Sequence, residues 1–350
     1  MVRAAAYVPA ASFEGVRVAA FDEDAFTLGA TAAERAWVDR DRPSDPLVVH
    51  LVGEFPPVAD WGFPVLLGRG TAEMVRHPGD ASELARVVST VEQGGEGPAL
   101  VVAADLPERA AGGAGSPPSS FGAGAVALLF DSSTKSNPSR YEPATQDRSA
   151  VALALRVGRK GQDRVRKEAW MGDWDVAPAA GRRIDMEQTL RGANRDLSAV
   201  SEGAYVPRAR YFENLPSRWL FTADECGECH EVTFPSRDSC RRCGRRDTLA
   251  PTSLPRDDVQ VVAVTTIGRG GQPTEFDAQV QAAGPYQVAL VEVASGIRIT
   301  LQVTDAAAGE LRVGDRVNTR LRRLYPMEGE WRYGRKAVPR SAGDALSRSS

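Results

Sequence analysis

The sequence predicts a layered α/β domain, followed by a four-cysteine ribbon and a small all-β barrel. Three observations support this order of folds. Residues 1–131 alternate between strand-like and helix-like stretches, as a layered α/β domain requires. Every cysteine of the chain lies in one short segment, from Cys226 to Cys243. Short strand-like runs with glycine-containing turns follow that segment, and this pattern is typical of a small barrel.

Length and composition describe a soluble globular chain. Its 350 residues are enough for two ordinary domains, each with its own core. The formal net charge of -3 gives no global attraction to nucleic acid or to a membrane, so any polyanion site must be local. No apolar run approaches the ~20 residues that span a bilayer, and the first residues lack the apolar core of a signal peptide. We therefore expect a cytoplasmic protein without structural disulfides.

Helix and strand patterns alternate across residues 1–131, the predicted α/β domain. The run EDAFTLGATAAERAWVD has apolar residues at helical spacing, and the strand PLVVHLVGE follows it. A second helix is predicted to begin where Asp80 and Glu83 form a capping box and to end at Gly94 and Gly95. PALVVAADLP and FGAGAVALLFD are short apolar runs, so we expect two buried strands. The apolar stripes comprise Phe26, Ala30, Ala33 and Trp37 in the first helix and Leu84, Val87, Val88 and Val91 in the second.

The remaining residues divide into four predicted segments. Residues 132–206 are polar and then basic, with weak periodicity, and we expect a loop followed by irregular connecting structure. Residues 207–250 contain a short aromatic helix, YFENLPSRWL, and the cysteine ribbon. Residues 251–340 supply the strands of the barrel, and residues 341–350 form a polar tail without a core.

The four cysteines have the spacing of a structural metal site. They form two CxxC pairs separated by ten residues: Cys226, Cys229, Cys240 and Cys243. Each CxxC turn places two sulfurs on one side of a knuckle, and two facing knuckles complete the tetrahedral S4 site that Zn²⁺ accepts. Four thiolates leave no open position for water or substrate, so the pattern predicts a structural zinc.

Redox chemistry and haem attachment are the alternatives for this cluster. Two CxxC pairs without a thioredoxin-like βαβ context argue against a redox pair. His230 directly follows Cys229 and mimics the CxxCH haem motif, but haem would leave the second CxxC pair unexplained.

The last 140 or so residues combine several features in a fixed order. The helix YFENLPSRWL precedes the ribbon CGECHEVTFPSRDSCRRCG, and the barrel strands follow with a VGDRV turn and a closing RLYPMEGEWRYGRKAVP. From Tyr211 to Arg340 this combination resembles the acyl-CoA-associated zinc-ribbon/OB-fold family. The resemblance implies a companion of thiolase-fold enzymes that holds subunits together and helps to accept the acyl-CoA.

Basic and aromatic residues at the end of the barrel allow three interpretations. They could contact the phosphates of CoA, line a groove for single-stranded nucleic acid, or form a solvated edge or subunit interface. The residues in question are Arg320, Arg322, Arg323, Trp331, Arg332, Tyr333, Arg335 and Lys336. For CoA, the candidate phosphate ligands are Arg322, Arg323, Arg335 and Lys336.

The order of strands and helices in residues 1–131 carries a second resemblance, above all ALVVAADLP followed by FGAGAVALLF. It resembles the first half of thiolase-fold condensing enzymes of the hydroxymethylglutaryl-CoA synthase and ketoacyl synthase III branch. Such chemistry needs a cysteine nucleophile at the N-terminus of a buried helix. No cysteine precedes Cys226, so we expect no Claisen chemistry from this chain alone.

His77 is the weak catalytic candidate that remains. It precedes the helix on which the family cysteine would lie, so it could act as a general base or be an interface histidine. Glu54, at the end of a strand, is a second acid–base candidate. The leading hypothesis is a non-catalytic subunit of a hetero-oligomer, pairing with a thiolase-like acyl-CoA enzyme. The alternatives are an acyl-CoA carbon–carbon lyase or synthase in its own right and a single-stranded nucleic-acid-binding module.

Overall fold

The computed structural model describes parts of two compact units. Those up to Phe130 belong to the first unit, and those from Arg208 to Arg340 belong to the second. The predicted connecting segment, the polar tail and Asp80 of the predicted capping box lie outside the described residues. The described residues are 3–7, 12–13, 16–17, 19, 22–37, 47–68, 72–79, 81–94, 98–106, 123–130, 208–268, 280, 284–294, 296–327 and 330–340.

The first unit contains a five-stranded sheet with helices on both of its faces. Its strands and helices are, in chain order, β1 (Arg3–Tyr7), β2 (Ser12–Phe13), β3 (Val16–Arg17), α1 (Ala25–Trp37), β4 (Val48–Val52), α2 (Val58–Leu66), β5 (Glu73–His77), α3 (Ala81–Gly94), β6 (Ala99–Asp105) and β7 (Gly124–Phe130). The strand order in the sheet is β1-β7-β6-β4-β5. Strands β5, β4 and β6 are parallel, and β7 runs antiparallel to both β6 and β1. The predicted α/β domain is confirmed.

Helix α1 is buried along most of its circumference. It begins with a reciprocal cap, in which the Thr27 N–H donates to Asp24 Oδ1 at 2.9 Å and the Asp24 N–H donates to Thr27 Oγ1 at 2.8 Å. Its close neighbour is α2, where Gly62 lies against the Phe26 ring. A Cβ at Gly62 would lie 2.4 Å from Phe26 Cζ, so only glycine allows this approach.

Helix α3 covers the opposite face of the sheet. Its stripe of Leu84, Val87 and Val88 packs on Val52 of β4 and Val101 of β6, while the rest of the helix is largely exposed or half-buried. Val101 and Val102 are neighbours on β6 and therefore face opposite sides. Val102 lies against α1, which places α1 and α3 on different faces.

The second unit joins two short helices, a three-stranded ribbon and a barrel. Its elements are α4 (Arg208–Glu213), α5 (Leu215–Leu220), β8 (Thr222–Cys226), β9 (Val232–Thr233), β10 (Leu249–Ser253), β11 (Val259–Ile267), β12 (Tyr286–Ala294), β13 (Ile297–Gln302), β14 (Arg316–Met327) and β15 (Glu330–Pro339). The ribbon has the order β10-β8-β9, and the barrel has the order β13-β12-β11-β14-β15. A bridge between Val303 and Ala337 links the end of β13 to β15 and nearly closes the barrel.

Helices α4 and α5 are held against the barrel by one backbone position. Tyr211 Oη and Trp219 Nε1 each donate to the Tyr333 carbonyl at 3.0 Å, and the Tyr333 N–H donates back to Tyr211 Oη at 2.9 Å. Tyr211 and Trp219 are buried. Burial raises the pKa of Tyr211 to about 12, so its hydroxyl stays protonated and can donate at neutral pH.

Candidate metal centre and surrounding sites

The four cysteines come together at the open end of the ribbon. Strand β8 ends at Cys226, and the two knuckles close with the same bond: the His230 N–H donates to the Cys226 carbonyl at 2.8 Å and the Gly244 N–H to the Cys240 carbonyl at 2.9 Å. Gly244 has φ of +76°, the left-handed conformation that glycine adopts without strain.

The sulfur positions fit a tetrahedral metal ion. Sγ–Sγ distances are 3.6 Å for Cys226–Cys243, 3.6 Å for Cys229–Cys240 and 3.7 Å for Cys229–Cys243, and all four Sγ atoms lie within 4.8 Å of one another. A Zn–S bond of ~2.3 Å in a tetrahedron places two sulfurs ~3.8 Å apart. The four thiols therefore lie close enough together to hold a metal ion. Among the residues that the structure describes, no other His, Cys, Asp or Glu cluster meets this criterion.

Local hydrogen bonds favour the thiolate form at Cys226 and Cys240, two of the four thiols, whereas the pKa values of Cys229 and Cys243 are raised. A hydrogen bond from the Thr248 hydroxyl, 3.3 Å from Cys226 Sγ, and nearby backbone N–H groups lower the pKa of Cys226 to about 6. The Arg242 N–H donates to Cys240 Sγ at 3.4 Å, and the pKa of Cys240 is lowered mainly by backbone N–H groups. Cys226 and Cys240 are buried, whereas Cys243 is exposed.

The basic residues proposed for CoA phosphates lie mostly inside the second unit. Arg322, Arg335 and Lys336 are buried, and Arg323 is half-buried with its guanidinium 4.7 Å from the Trp331 ring centroid. Arg322 pairs with Asp305 at 3.1 Å, and Arg335 donates to the Trp219 carbonyl. Their role in binding CoA stays a prediction.

His77 is part of a hydrogen-bonded network that sequence reasoning missed. His77 Nε2 lies 3.0 Å from His50 Nδ1 on the neighbouring strand, and His77 Nδ1 lies 3.3 Å from Glu83 Oε1 at the start of α3. Arg86 donates to the same carboxylate. The interpretation of Glu83 as a capping residue missed this contact. Glu54 is exposed after β4.

Burial favours the neutral form of both histidines. Burial and the neighbouring His77 lower the pKa of His50 to about 4. Burial also lowers the pKa of His77, although Glu83 acts in the opposite direction. The hydrogen bond from Arg86 lowers the pKa of Glu83, so this carboxylate stays ionised and can accept a hydrogen bond from His77 Nδ1–H. The network could orient a base, and the catalytic role of His77 stays a prediction.

Comparison with protein families identifies the barrel. Residues 260–322 match the family described as ChsH2, C-terminal OB-fold domain. The C-terminal barrel is an OB-fold. Two curated relatives match a longer part of the chain, and both are described as DUF35 domain-containing scaffold proteins. The one from Methanothermobacter thermautotrophicus is 28% identical over 134 residues, which is 38% of this chain and 96% of the relative. The one from Methanocaldococcus jannaschii is 28% identical over 133 residues, 37% of this chain and 89% of the relative.

Solved structures were also compared with the chain. The Ltp2-ChsH2(DUF35) aldolase aligns with 22% identity over 39% of this chain and 98% of that chain, with a TM-score of 0.30. The HMG synthase of the curacin pathway, in complex with its acetyl donor-ACP, aligns with 18% identity over 37% of this chain and 40% of that chain, also with a TM-score of 0.30. The family match and the curated relatives confirm the expected resemblance of the ribbon and barrel region to zinc-ribbon/OB-fold proteins. None of the described helices is long and apolar enough to cross a bilayer.

Proposed function

We propose that this chain is a non-catalytic subunit that assembles with a thiolase-like acyl-CoA enzyme. The observation that carries the proposal is the match to scaffold proteins over 134 residues, nearly the whole length of the relative. Two scaffold relatives and an OB-fold match together support an assembly role for the ribbon and barrel. The acyl-CoA is expected to bind at the assembled complex.

The first unit supports the same proposal because it keeps a packed core without a thiol. Core residues of β4, β6 and β7 are almost fully buried, so the sheet is not a remnant that has lost its packing. All cysteines of the chain lie between residues 226 and 243. A covalent thioester step would then depend on the nucleophile of the partner.

The ribbon is proposed to hold a structural zinc ion. Four thiolates at tetrahedral spacing form a closed site, and zinc bound there would stabilise the fold of the two knuckles without taking part in chemistry. Cys226, Cys229, Cys240 and Cys243 would be its ligands.

Co-expression tests the assembly. The chain is produced with a candidate thiolase-like partner, and the products are separated by size-exclusion chromatography with light scattering. We expect a hetero-oligomer whose condensing, aldol or thiolytic turnover exceeds that of the catalytic chain alone. A chain that elutes alone and leaves the turnover unchanged would refute the proposal.

A further inference from the structure

The second knuckle of the ribbon is strongly basic. Its residues 237–247, here called the basic knuckle, include five arginines and two aspartates, whereas the whole chain carries a net charge of -3. The first knuckle, residues 226–231, carries two glutamates and no lysine or arginine. The arginines are Arg237, Arg241, Arg242, Arg245 and Arg246.

The structure divides four of these arginines into two kinds. Arg241 pairs with Glu231 at 2.5 Å and Arg245 with Glu228 at 3.7 Å, so both are satisfied by the first knuckle. Arg242 and Arg246 are exposed and form no ion pair with any residue that the structure describes. The pairing across the ribbon therefore uses two guanidinium groups and leaves two available next to Cys243, while Arg237, the fifth arginine, is exposed on the other side of Cys240 in sequence.

The same turn exposes a thiol of the metal centre. Cys243 lies between Arg242 and Arg246 in sequence and is exposed, whereas Cys226 and Cys240 are buried. A Cβ placed on Gly244 would meet nothing within 4 Å. This part of the described structure is thus an open surface beside an incompletely shielded ligand, and a bound partner would cover both.

From these observations we infer that the basic knuckle docks on an acidic surface of the partner enzyme, with Arg242 and Arg246 binding carboxylates. Arginine suits this contact because its planar guanidinium binds a carboxylate through two parallel hydrogen bonds. The inference rests on the proposed function, because it names the surface through which the scaffold holds its partner.

A nucleic-acid strand fits the basic knuckle less well than a protein. Single-strand binding combines basic side chains with aromatic rings on which bases stack. Phe234 is the one Phe, Tyr or Trp between residues 222 and 253. Its ring centroid lies 6.1 Å from that of Phe221, and the ring packs against the core of the second unit. It therefore offers no surface beside the arginines on which a base could stack.

Two matched double variants test the docking surface. Arg242→Gln/Arg246→Gln removes the available pair, and Arg241→Gln/Arg245→Gln removes the same charge from the internally paired residues. Affinity for the thiolase-like subunit is measured by calorimetry at 50 and 500 mM salt, and zinc content is measured for each protein. We expect the first variant to weaken binding ~10-fold at low salt and less at high salt, because salt screens these contacts. The second should change binding less than ~3-fold.

The outcomes separate this inference from the proposed function. If the wild type binds its partner and both variants bind equally well, or lose affinity equally, the basic knuckle is not the docking surface and the scaffold role stands. If the wild type does not bind the partner at all, the proposed function fails and the inference fails with it. Binding of a 20-nucleotide oligo-dT that disappears only in Arg242→Gln/Arg246→Gln would overturn the choice of an acidic protein.

Discussion

At the scale of single residues, the pair formed by His50 and His77 makes the first unit sensitive to pH. His50 Nδ1 and His77 Nε2 lie 3.0 Å apart and share one hydrogen bond, so the two rings cannot both be charged while this bond exists. Protonating both rings would put a proton on each of the two facing nitrogens, break the bond and place two cations in a half-buried site. The contact between His77 and Glu83 links the protonation of this histidine pair to the first turn of α3.

We predict that His50 titrates near pH 4 rather than near its ordinary value of 6.5. The unfolded chain takes up this proton more readily than the folded chain, so stability is complete above pH 6.5 and is lost as the pH falls towards 4, by ~1–2 kcal/mol after allowing for partial exposure. NMR titration of the ring protons measures the pKa directly, because the chain has only three histidines.

The variant His77→Phe provides the control for this titration. Without the neighbouring charge, the pKa of His50 should rise but stay below 6.5, because burial is the larger of its two causes. A wild-type His50 that titrates at 6.5 would show that the pair does not form.

At the scale of elements, the attachment of α4 and α5 to β15 depends on donors that share one carbonyl. After Tyr211→Phe the Tyr333 carbonyl still accepts a hydrogen bond from Trp219 Nε1, and after Trp219→Phe it still accepts one from Tyr211 Oη. Only the double variant removes both side-chain donors. We expect each single change to cost ~1–3 kcal/mol and the double variant to cost ~1 kcal/mol more than their sum. Hydrogen exchange of the β15 amides in the full-length chain measures these costs, and strict additivity would contradict the shared-acceptor arrangement.

The ribbon is the element whose stability should depend on metal. We expect one zinc ion per chain by elemental analysis, and none after Cys226→Ser. Removing the metal leaves the two knuckles joined by exposed ion pairs and weak thiol contacts alone, so exchange of the β8 and β10 amides should accelerate while that of the β6 amides stays unchanged. Equal protection with and without metal would mean that the cysteines are not a structural site.

The sequence predicted elements well where their pattern is local. The CxxC spacing fixed the ribbon, and the stripe from Leu84 to Val91 fixed α3, because one amphipathic face packs on one sheet. Helix α1 was predicted with a single stripe, yet Thr27 and Thr31 are buried as well. Their hydroxyls donate to backbone carbonyls one turn earlier, which removes the cost of burying them and hides them from a polarity pattern.

Contacts between distant residues could not be predicted in the same way. His50 and His77 meet because β4 and β5 pair in parallel, and β5 and α2 were not predicted from the sequence at all. Helix α2 includes Pro64, which usually argues against a helix. The sequence also gave no indication that Arg322 and Lys336 are buried, since long basic side chains are mostly exposed.

At the scale of the whole molecule, the distribution of cysteines determines which chain can carry an acyl group. We predict that the purified chain incubated with radiolabelled acetyl-CoA retains no label after denaturation, because its four thiols are the proposed zinc ligands. In the reconstituted complex, the label should appear on the partner. Label retained on this chain and released by hydroxylamine would contradict a non-catalytic role.

The long-range bonds to Tyr333 set an order of events during synthesis. Every ligand of the metal centre leaves the ribosome within 18 residues, so the knuckles can bind metal early. The Tyr333 carbonyl, which accepts hydrogen bonds from Tyr211 and Trp219, is synthesised 122 and 114 residues after them. A chain that stops before β15 is completed would therefore carry a loaded ribbon and two apolar helix faces with no barrel to cover them, which makes truncated products of this gene candidates for aggregation and degradation.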